Sequence, residues 1–294
     1  VIYLKSFRLP SRRDEDGYLL SFPHQLEMEC YSHTDVYPFK LFPEKEFKDI
    51  SFEPITIFYG GNGSGKSTLL NVIAEKLDIT RSALFNDTPH MVSYLKMCDY
   101  SLAMEAKHVP RASRKITSDD VFDFLLDVRA VNEGIDRRRE QLFEEHYRIN
   151  DTPMPRFTSL AEHDEFKKCL EAKRSTKSAY VTRRLPKELS GKSNGESAFV
   201  YFTQKIEENA LYLLDEPENS LSPALQKEMV SFLEDSVRFY GCQFVISTHS
   251  PFLLAVKGAK IYDLDTVPVH TKKWFELENV RAYHDFFKEN THLF

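Results

Sequence analysis

Two clusters in this 294-residue sequence have residue types and spacings that could do chemistry. The first is Gly60-Gly61-Asn62-Gly63-Ser64-Gly65-Lys66-Ser67-Thr68. It sits between the apolar run Ile55-Thr-Ile-Phe-Tyr59 and a helically spaced set, Leu69, Leu70, Val72, Ile73 and Leu77. Glycines in these places let successive backbone N–H groups converge on a phosphate without Cβ clashes. The start of the following helix adds its partial positive charge. The G-x-x-x-x-G-K-S spacing assigns Lys66 to the β- and γ-phosphates of a nucleoside triphosphate, and the Ser67 hydroxyl to Mg²⁺.

The second cluster closes another apolar run, Leu211-Tyr-Leu-Leu-Asp-Glu216. A strand there ends on Asp215 at the edge where an α/β sheet binds ligands. A phosphate loop needs such a carboxylate on a neighbouring strand, and Asp215 is read as holding Mg²⁺, directly or through water. Glu216 is the group placed to polarise an attacking water. His249 follows a third apolar run, Phe244 to Ser247, which is expected to lie beside the Asp215 strand.

These motifs carry a resemblance. Asp215-Glu-Pro-Glu-Asn-Ser-Leu-Ser-Pro223 resembles the Walker B and D-loop of ABC-class ATPases, especially the soluble, non-transporter kind related to the recombination and structural-maintenance-of-chromosomes ATPases. Val245-Ile-Ser-Thr-His-Ser-Pro251 resembles their H-switch, which implies His249 at the γ-phosphate. A signature motif should precede Walker B, and two candidates exist. Ser193-Asn194-Gly195-Glu196 leads into an apolar helix and fits better than Leu189-Ser-Gly-Lys192, which has lysine where a glycine is expected. The sequence is similar to stand-alone bacterial "AAA domain" ATPases over residues 1–9, 50–78 and 190–294. The resemblance implies hydrolysis of ATP with Mg²⁺, with Lys66, Glu216 and His249 catalytic. It also implies an ATP-dependent homodimer in which Ser193, Gly195 and Glu196 of one subunit complete the phosphate loop of the other. No N-K-x-D guanine-reading motif appears, which favours ATP over GTP.

One family feature lacks a counterpart. Gln141, the only glutamine between the P-loop and the signature, falls inside an expected helix, so the Q-loop position passes to Ile116-Thr-Ser-Asp-Asp-Val121. There Asp119 or Asp120 would face metal or water; a simple helix cap is the alternative. The adenine-stacking aromatic is Tyr37, Phe39 or neither.

The elements that must position these groups follow from pattern. Val1 to Leu9 reads as a strand ended by the polar run Ser11 to Gly17, and residues 18–50 read as a small antiparallel meander. Strands alternate with helices at about 194–208 and 223–239, as a parallel sheet covered on both faces requires. Val121, Phe124, Val128, Val131, Ile135 and Leu142 mark a long amphipathic helix, and Ser159 could cap a second one carrying Leu160, Phe166 and Leu170. The expected fold is an α/β P-loop NTPase of ABC type, with a mainly parallel sheet, N-terminal antiparallel strands and an inserted helical arm. Residues 1–78 and 191–294 form the core and 79–190 the arm. The Trp274 to Phe287 tail is expected as a packed helix.

Composition sets limits. At 41% hydrophobic with a net charge of −6, the chain can bury a core. The four cysteines, Cys30, Cys98, Cys169 and Cys242, lack any C-x-x-C pair, which excludes a zinc knuckle and a disulfide framework. No run approaches the roughly 18–20 apolar residues of a membrane span, so a cytoplasmic protein without an integral membrane segment is expected. Lys167 to Lys192 holds nine basic and two acidic residues. That strip is a footprint for nucleic acid or an acidic partner, a solvated helix face laced with ion pairs, or a contact to triphosphate across a dimer. The functions consistent with all this are an ATP-driven switch acting on nucleic acid or on a defence or repair partner such as an effector encoded nearby, a transporter's nucleotide-binding subunit, and an interaction module with negligible turnover.

Overall fold

The computed structural model describes residues 1–20, 36–83, 88, 90–104, 108–153, 163–185 and 193–293. The chain divides into two compact units, Val1–Phe122 with Asn194–Phe294, and Asp123–Ser193. The stretch 79–122, expected in the arm, therefore clusters with the core. The reason is strand pairing by two short strands that the sequence does not announce.

The first unit holds two sheets. β1 (Leu4–Arg8) lies between β2 (Asp49–Ser51) and β4 (Asp99–Leu102), antiparallel to both. The second sheet is six-stranded. In spatial order it runs β5 (Arg114–Thr117), β6 (Leu211–Asp215), β7 (Gln243–Ser247), β3 (Ile55–Tyr59), β8 (Lys260–Asp263) and β9 (His270–Lys272), with only β9 antiparallel to its neighbour. β3, β6 and β7 are buried at every residue, so they read as continuous apolar runs rather than alternating ones.

The strand order corrects one expectation about the site. β7 separates β3 from β6, so the carboxylate strand is not the immediate neighbour of the phosphate-loop strand. The His249 strand does adjoin β6, and β3 as well. The register brings Thr117, Asp215 and Ser247 side by side at the carboxyl edge of the sheet.

The N-terminal polar run, expected only to end the first strand, forms a helix, α1 (Arg12–Leu19). Its signal was readable: Ser11 Oγ accepts from the Asp14 N–H and the Asp14 carboxylate accepts from the Ser11 N–H, a reciprocal cap. Of the proposed 18–50 meander, β2 is present and 21–35 lie outside the described residues.

Gln243 joins the two sheets. Fully buried, it accepts from the N–H groups of Tyr3 and Leu4 at 2.8 and 2.9 Å and donates to the Leu4 carbonyl at 2.9 Å. Gln243→Leu keeps the volume but orphans buried backbone groups on β1, each costing about 1–3 kcal/mol. A loss of about 2–4 kcal/mol in chemical denaturation is the expected result. A variant as stable as the parent would show that water or a shifted β1 takes over these bonds.

In the second unit a long helix dominates. It spans Ser118–Asp151 and begins in the first unit. Leu125, Val128, Asn132, Ile135, Arg139, Leu142, His146 and Ile149 are buried or half-buried, at alternating steps of three and four. This is a heptad stripe with polar residues at one of its two positions. It corrects the expected stripe: Val131 is 47% exposed and Phe124 only half-buried. Leu142 packs with Ala172, Tyr180 and Val181 from helices His163–Arg174 and Lys177–Thr182. Ser159 and Leu160, proposed to start the second arm helix, lie outside the described residues.

Several cations of the basic strip have partners within this unit. Lys173 donates to the Thr152 carbonyl, Arg184 pairs with Glu171 and sits over the Tyr180 ring, and Lys177 lies over Phe143 and Tyr147. Among the described residues no helix is long and apolar enough to cross a membrane. Cys98, Cys169 and Cys242 are buried and free, and burial pushes the Cys98 thiol up to about 12.

Candidate functional site

The phosphate loop leaves β3 at Tyr59 and enters the helix Lys66–Lys76. Its sharpest requirement falls on Gly65, whose φ of 98° lies in the left-handed region and whose added Cβ would approach Leu41 to 3.1 Å. At Gly60 a Cβ would meet Ser64 Oγ at 2.5 Å. The loop lines a cavity of about 830 Å³, together with Tyr37, Lys40, Leu41, Glu44 and Glu216. Asn62 through Thr68 all reach its surface.

Lys66 is buried and folds back onto the loop, donating to the carbonyls of Gly60 and Gly61 at 2.8 and 3.1 Å. Its ammonium also lies 3.5 Å from Glu216 Oε1. Ser67 Oγ donates to Asp215 Oδ1 at 2.9 Å, and Ser247 Oγ donates to the same oxygen. A hydroxyl and a carboxylate this close form a hard-oxygen pair suited to Mg²⁺. Among the described residues no group of three or more His, Cys, Asp or Glu could hold a metal. A cation here would complete its coordination with substrate phosphates and water.

Glu216 follows with φ 48°, a left-handed conformation rare outside glycine. Its N–H is held by the Ser247 carbonyl at 3.0 Å, and Asn219 Nδ2 donates to Oε2 at 3.1 Å. His249 stands just beyond β7 with a half-exposed ring. P-loop, Asp215, Glu216 and His249 thus share one end of the sheet.

Gly195 and Glu196, the signature candidate together with Ser193, are not among the residues lining the cavity. Gly195 begins the helix Asn194–Lys205 and faces Leu225 and the backbone of Ser220 and Ser222. The rival candidate at 189–192 lies outside the described residues. Of the Q-loop substitutes, Asp120 is committed to a cap. It accepts from the N–H and hydroxyl of Thr117 at 2.8 and 2.9 Å, while Asp119 is exposed. Phe39 is buried against Tyr18, stacked at 4.9 Å, and against Tyr94 at 5.1 Å, whereas Tyr37 donates its hydroxyl to Thr68 Oγ1 at 3.1 Å.

Three further groups escape a motif reading. Lys115 on β5 is buried, bonded to Asn71 Oδ1 and 3.3 Å from Asp215 Oδ2. Burial holds its ammonium below the usual lysine range, with Asp215 opposing that shift. Asp265 Oδ2 accepts from the Gly61 N–H at 2.7 Å, bracing the loop. Glu15, 2% exposed, accepts from the N–H of Lys40 at 2.6 Å, and burial pushes its carboxyl up to about 7. A lone charge in a strand, a helix or a turn carries no spacing signal, so only pairing in space could reveal these.

A phosphate loop between strand and helix, with an acid pair ending another strand of the same sheet, defines a P-loop nucleotide-binding protein. The profile of the family described as "ABC transporter" matches residues 49–219, more than half of the chain. The chain belongs to that family and is an ABC-class P-loop ATPase. A second profile, "AAA domain, putative AbiEii toxin, Type IV TA system", matches residues 196–255. Similar solved structures include two Smc head domains. One is from Pyrococcus furiosus, with an extended coiled coil and bound to the C-terminal domain of ScpA (13% identity, TM-score 0.44, 97% of this chain and 100% of that one). The other is from Thermotoga maritima (13%, 0.39, 92% and 99%). A dimeric post-hydrolysis ATP-binding cassette with ADP and Pi is also similar (14%, 0.36, 77% and 88%). No curated protein matches the sequence.

Proposed function

We propose that this chain binds and hydrolyses ATP with Mg²⁺ in a composite homodimeric site and works as a switch on a partner. The observation that carries the reading is the meeting of Lys66, Ser67, Asp215 and Glu216 around one phosphate loop. Lys66 leaves its loop carbonyls for the β- and γ-phosphates, and the loop N–H groups hold the polyphosphate. Ser67 and Asp215 would hold a divalent cation, which would neutralise phosphate charge. Glu216 takes the proton of the attacking water as its oxygen bonds to the γ-phosphorus and the bridging β–γ oxygen leaves with ADP. His249 meets the γ-phosphate.

The dimer is supported by where the signature is not. Gly195 and Glu196 are not among the residues that line the cavity of their own chain, as expected of a signature that completes a partner's site. Gly195→Asp places a like charge where γ-phosphate would dock. It is expected to block ATP-induced dimerisation while ATP affinity stays unchanged, with Gly195→Ala as the steric control for the 3.0 Å approach to Leu225. Light scattering with ATP in a Glu216→Gln background reads the mass. A parent that stays monomeric at micromolar concentration, or a Gly195→Asp protein that doubles normally, overturns the composite site.

The partner is nucleic acid or an effector protein. The toxin–antitoxin wording of the profile over residues 196–255 favours an effector. The internal partners of Lys173, Lys177 and Arg184 weaken a phosphate footprint on the arm.

A further inference from the structure

The turn after Glu216 carries a second acid, Glu218, with an unusual environment. It is 6% exposed, yet it is a carboxylate in a turn, Pro217–Ser220. Its Oε1 accepts from Thr248 Oγ1 at 2.7 Å and from the His249 N–H at 3.0 Å, and lies 3.5 Å from His249 Nδ1. Its Oε2 is buried with no hydrogen-bond partner among the described residues. Burying a carboxylate is costly unless it is bonded, so this one is retained against a penalty. On the opposite side, Asn279 Nδ2 donates to the His249 carbonyl at 2.7 Å. Both backbone polar groups of His249 are therefore held by side chains from two different elements, while its ring is half exposed.

We infer that Glu218 is a positioning residue for His249: it pins the backbone and draws the Nδ1–H edge of the imidazole toward its carboxylate, leaving Nε2 to face the γ-phosphate. The inference rests on the reading of His249 as the γ-phosphate contact. A carboxylate beside one ring nitrogen selects the tautomer and the ring angle, as orienting acids do elsewhere. It also ties the histidine to the segment that follows Asp215 and Glu216, so the base and the γ-phosphate contact are set by one turn.

The test reads the ring directly. In ¹⁵N spectra of the full chain, with His249 assigned through His249→Ala, the wild type is expected to show the Nδ1–H tautomer of His249. Glu218→Ala should shift it toward Nε2–H, and Glu218→Gln, which keeps an acceptor oxygen, should fall between. Turnover of Glu218→Ala should drop about 10- to 100-fold, the span seen when partners that orient a functional histidine are lost, with ATP affinity kept. In a His249→Ala background the same change should cost little, because the two act as a unit. An unchanged tautomer in both Glu218 variants, or equal losses in the two backgrounds, overturns the inference. If Glu218→Ala does not fold, the Glu218→Gln spectrum and its double-variant rate decide the same question. Should His249→Ala hydrolyse ATP at the wild-type rate, the γ-phosphate reading fails, while the tautomer still reports whether Glu218 holds the ring.

Discussion

Glu216→Gln is expected to bind ATP as the parent does and to lose turnover by about 10²- to 10⁴-fold, the span for removing a general base. The substitution is close to isosteric, and the position tolerates it. Glu216 is held by its backbone N–H on Ser247, and an amide oxygen can still accept from Asn219. What disappears is basicity at the cavity wall, where the side chain is partly exposed and 3.5 Å from Lys66. Calorimetry for ATP affinity and phosphate release for turnover separate the two effects. A variant hydrolysing at the parental rate would reassign the base. A variant that also loses affinity would show that Glu216 chiefly holds Lys66 in place, since its carboxylate is the counter-ion that draws the ammonium toward the cavity.

How much of this was legible in the sequence depends on whether a group announces itself by spacing. The phosphate loop is local: its glycines, Lys66 and Ser67 fall within nine residues, and Asn62 through Thr68 line the cavity. β3, β6 and β7 were equally clear, since a strand buried on both faces leaves no alternation to misread. The order of those strands was not, because parallel pairing is set by packing of the intervening helices over distances no local pattern records. The His249 strand does lie beside that of Asp215 as expected, but it also separates Asp215 from the phosphate-loop strand, which the sequence did not show. β4 and β5 gave no signal because Asp99–Leu102 and Arg114–Thr117 are four residues each and rich in polar side chains. The long arm helix shows a subtler limit. A stripe drawn through Phe124 and Val131 favours apolar letters, whereas the chain buries or half-buries Asn132, Arg139 and His146 at heptad positions. Nor is the C-terminal helix, Glu278–Glu289, packed as expected. Val280 is its buried residue, while Tyr283, Phe286 and Phe287 are each more than half exposed. Aromatic content signals affinity for an apolar surface without saying whether the chain itself provides one.

Lys66→Ala is expected to lower ATP affinity by about 10²- to 10⁴-fold while leaving the fold intact, a size set by the charge-assisted bonds the lysine would make to phosphate. Each hydrogen bond to a charged group is worth about 1.5–3 kcal/mol, and the lysine would meet two phosphates. The fold should survive because the ammonium's present partners are not orphaned in a way that costs much. Gly61 is exposed and Glu216 is partly solvated, so water can replace the ammonium at both, and only the buried Gly60 carbonyl loses a partner. The braces of the loop are elsewhere, in Asp265 on the Gly61 N–H and in the packing of Leu41 and Phe42 against Gly65. Lys66→Met, which fills the same buried channel without charge, separates the two contributions. If the loss is electrostatic, both variants bind ATP equally weakly and unfold at nearly the parental temperature. If Lys66 instead shapes the loop, Lys66→Met should recover most of the affinity that Lys66→Ala loses. Unchanged affinity in both variants, measured by calorimetry with Mg²⁺ present, would remove Lys66 from the phosphate site. The reading would then rest on the backbone N–H groups alone.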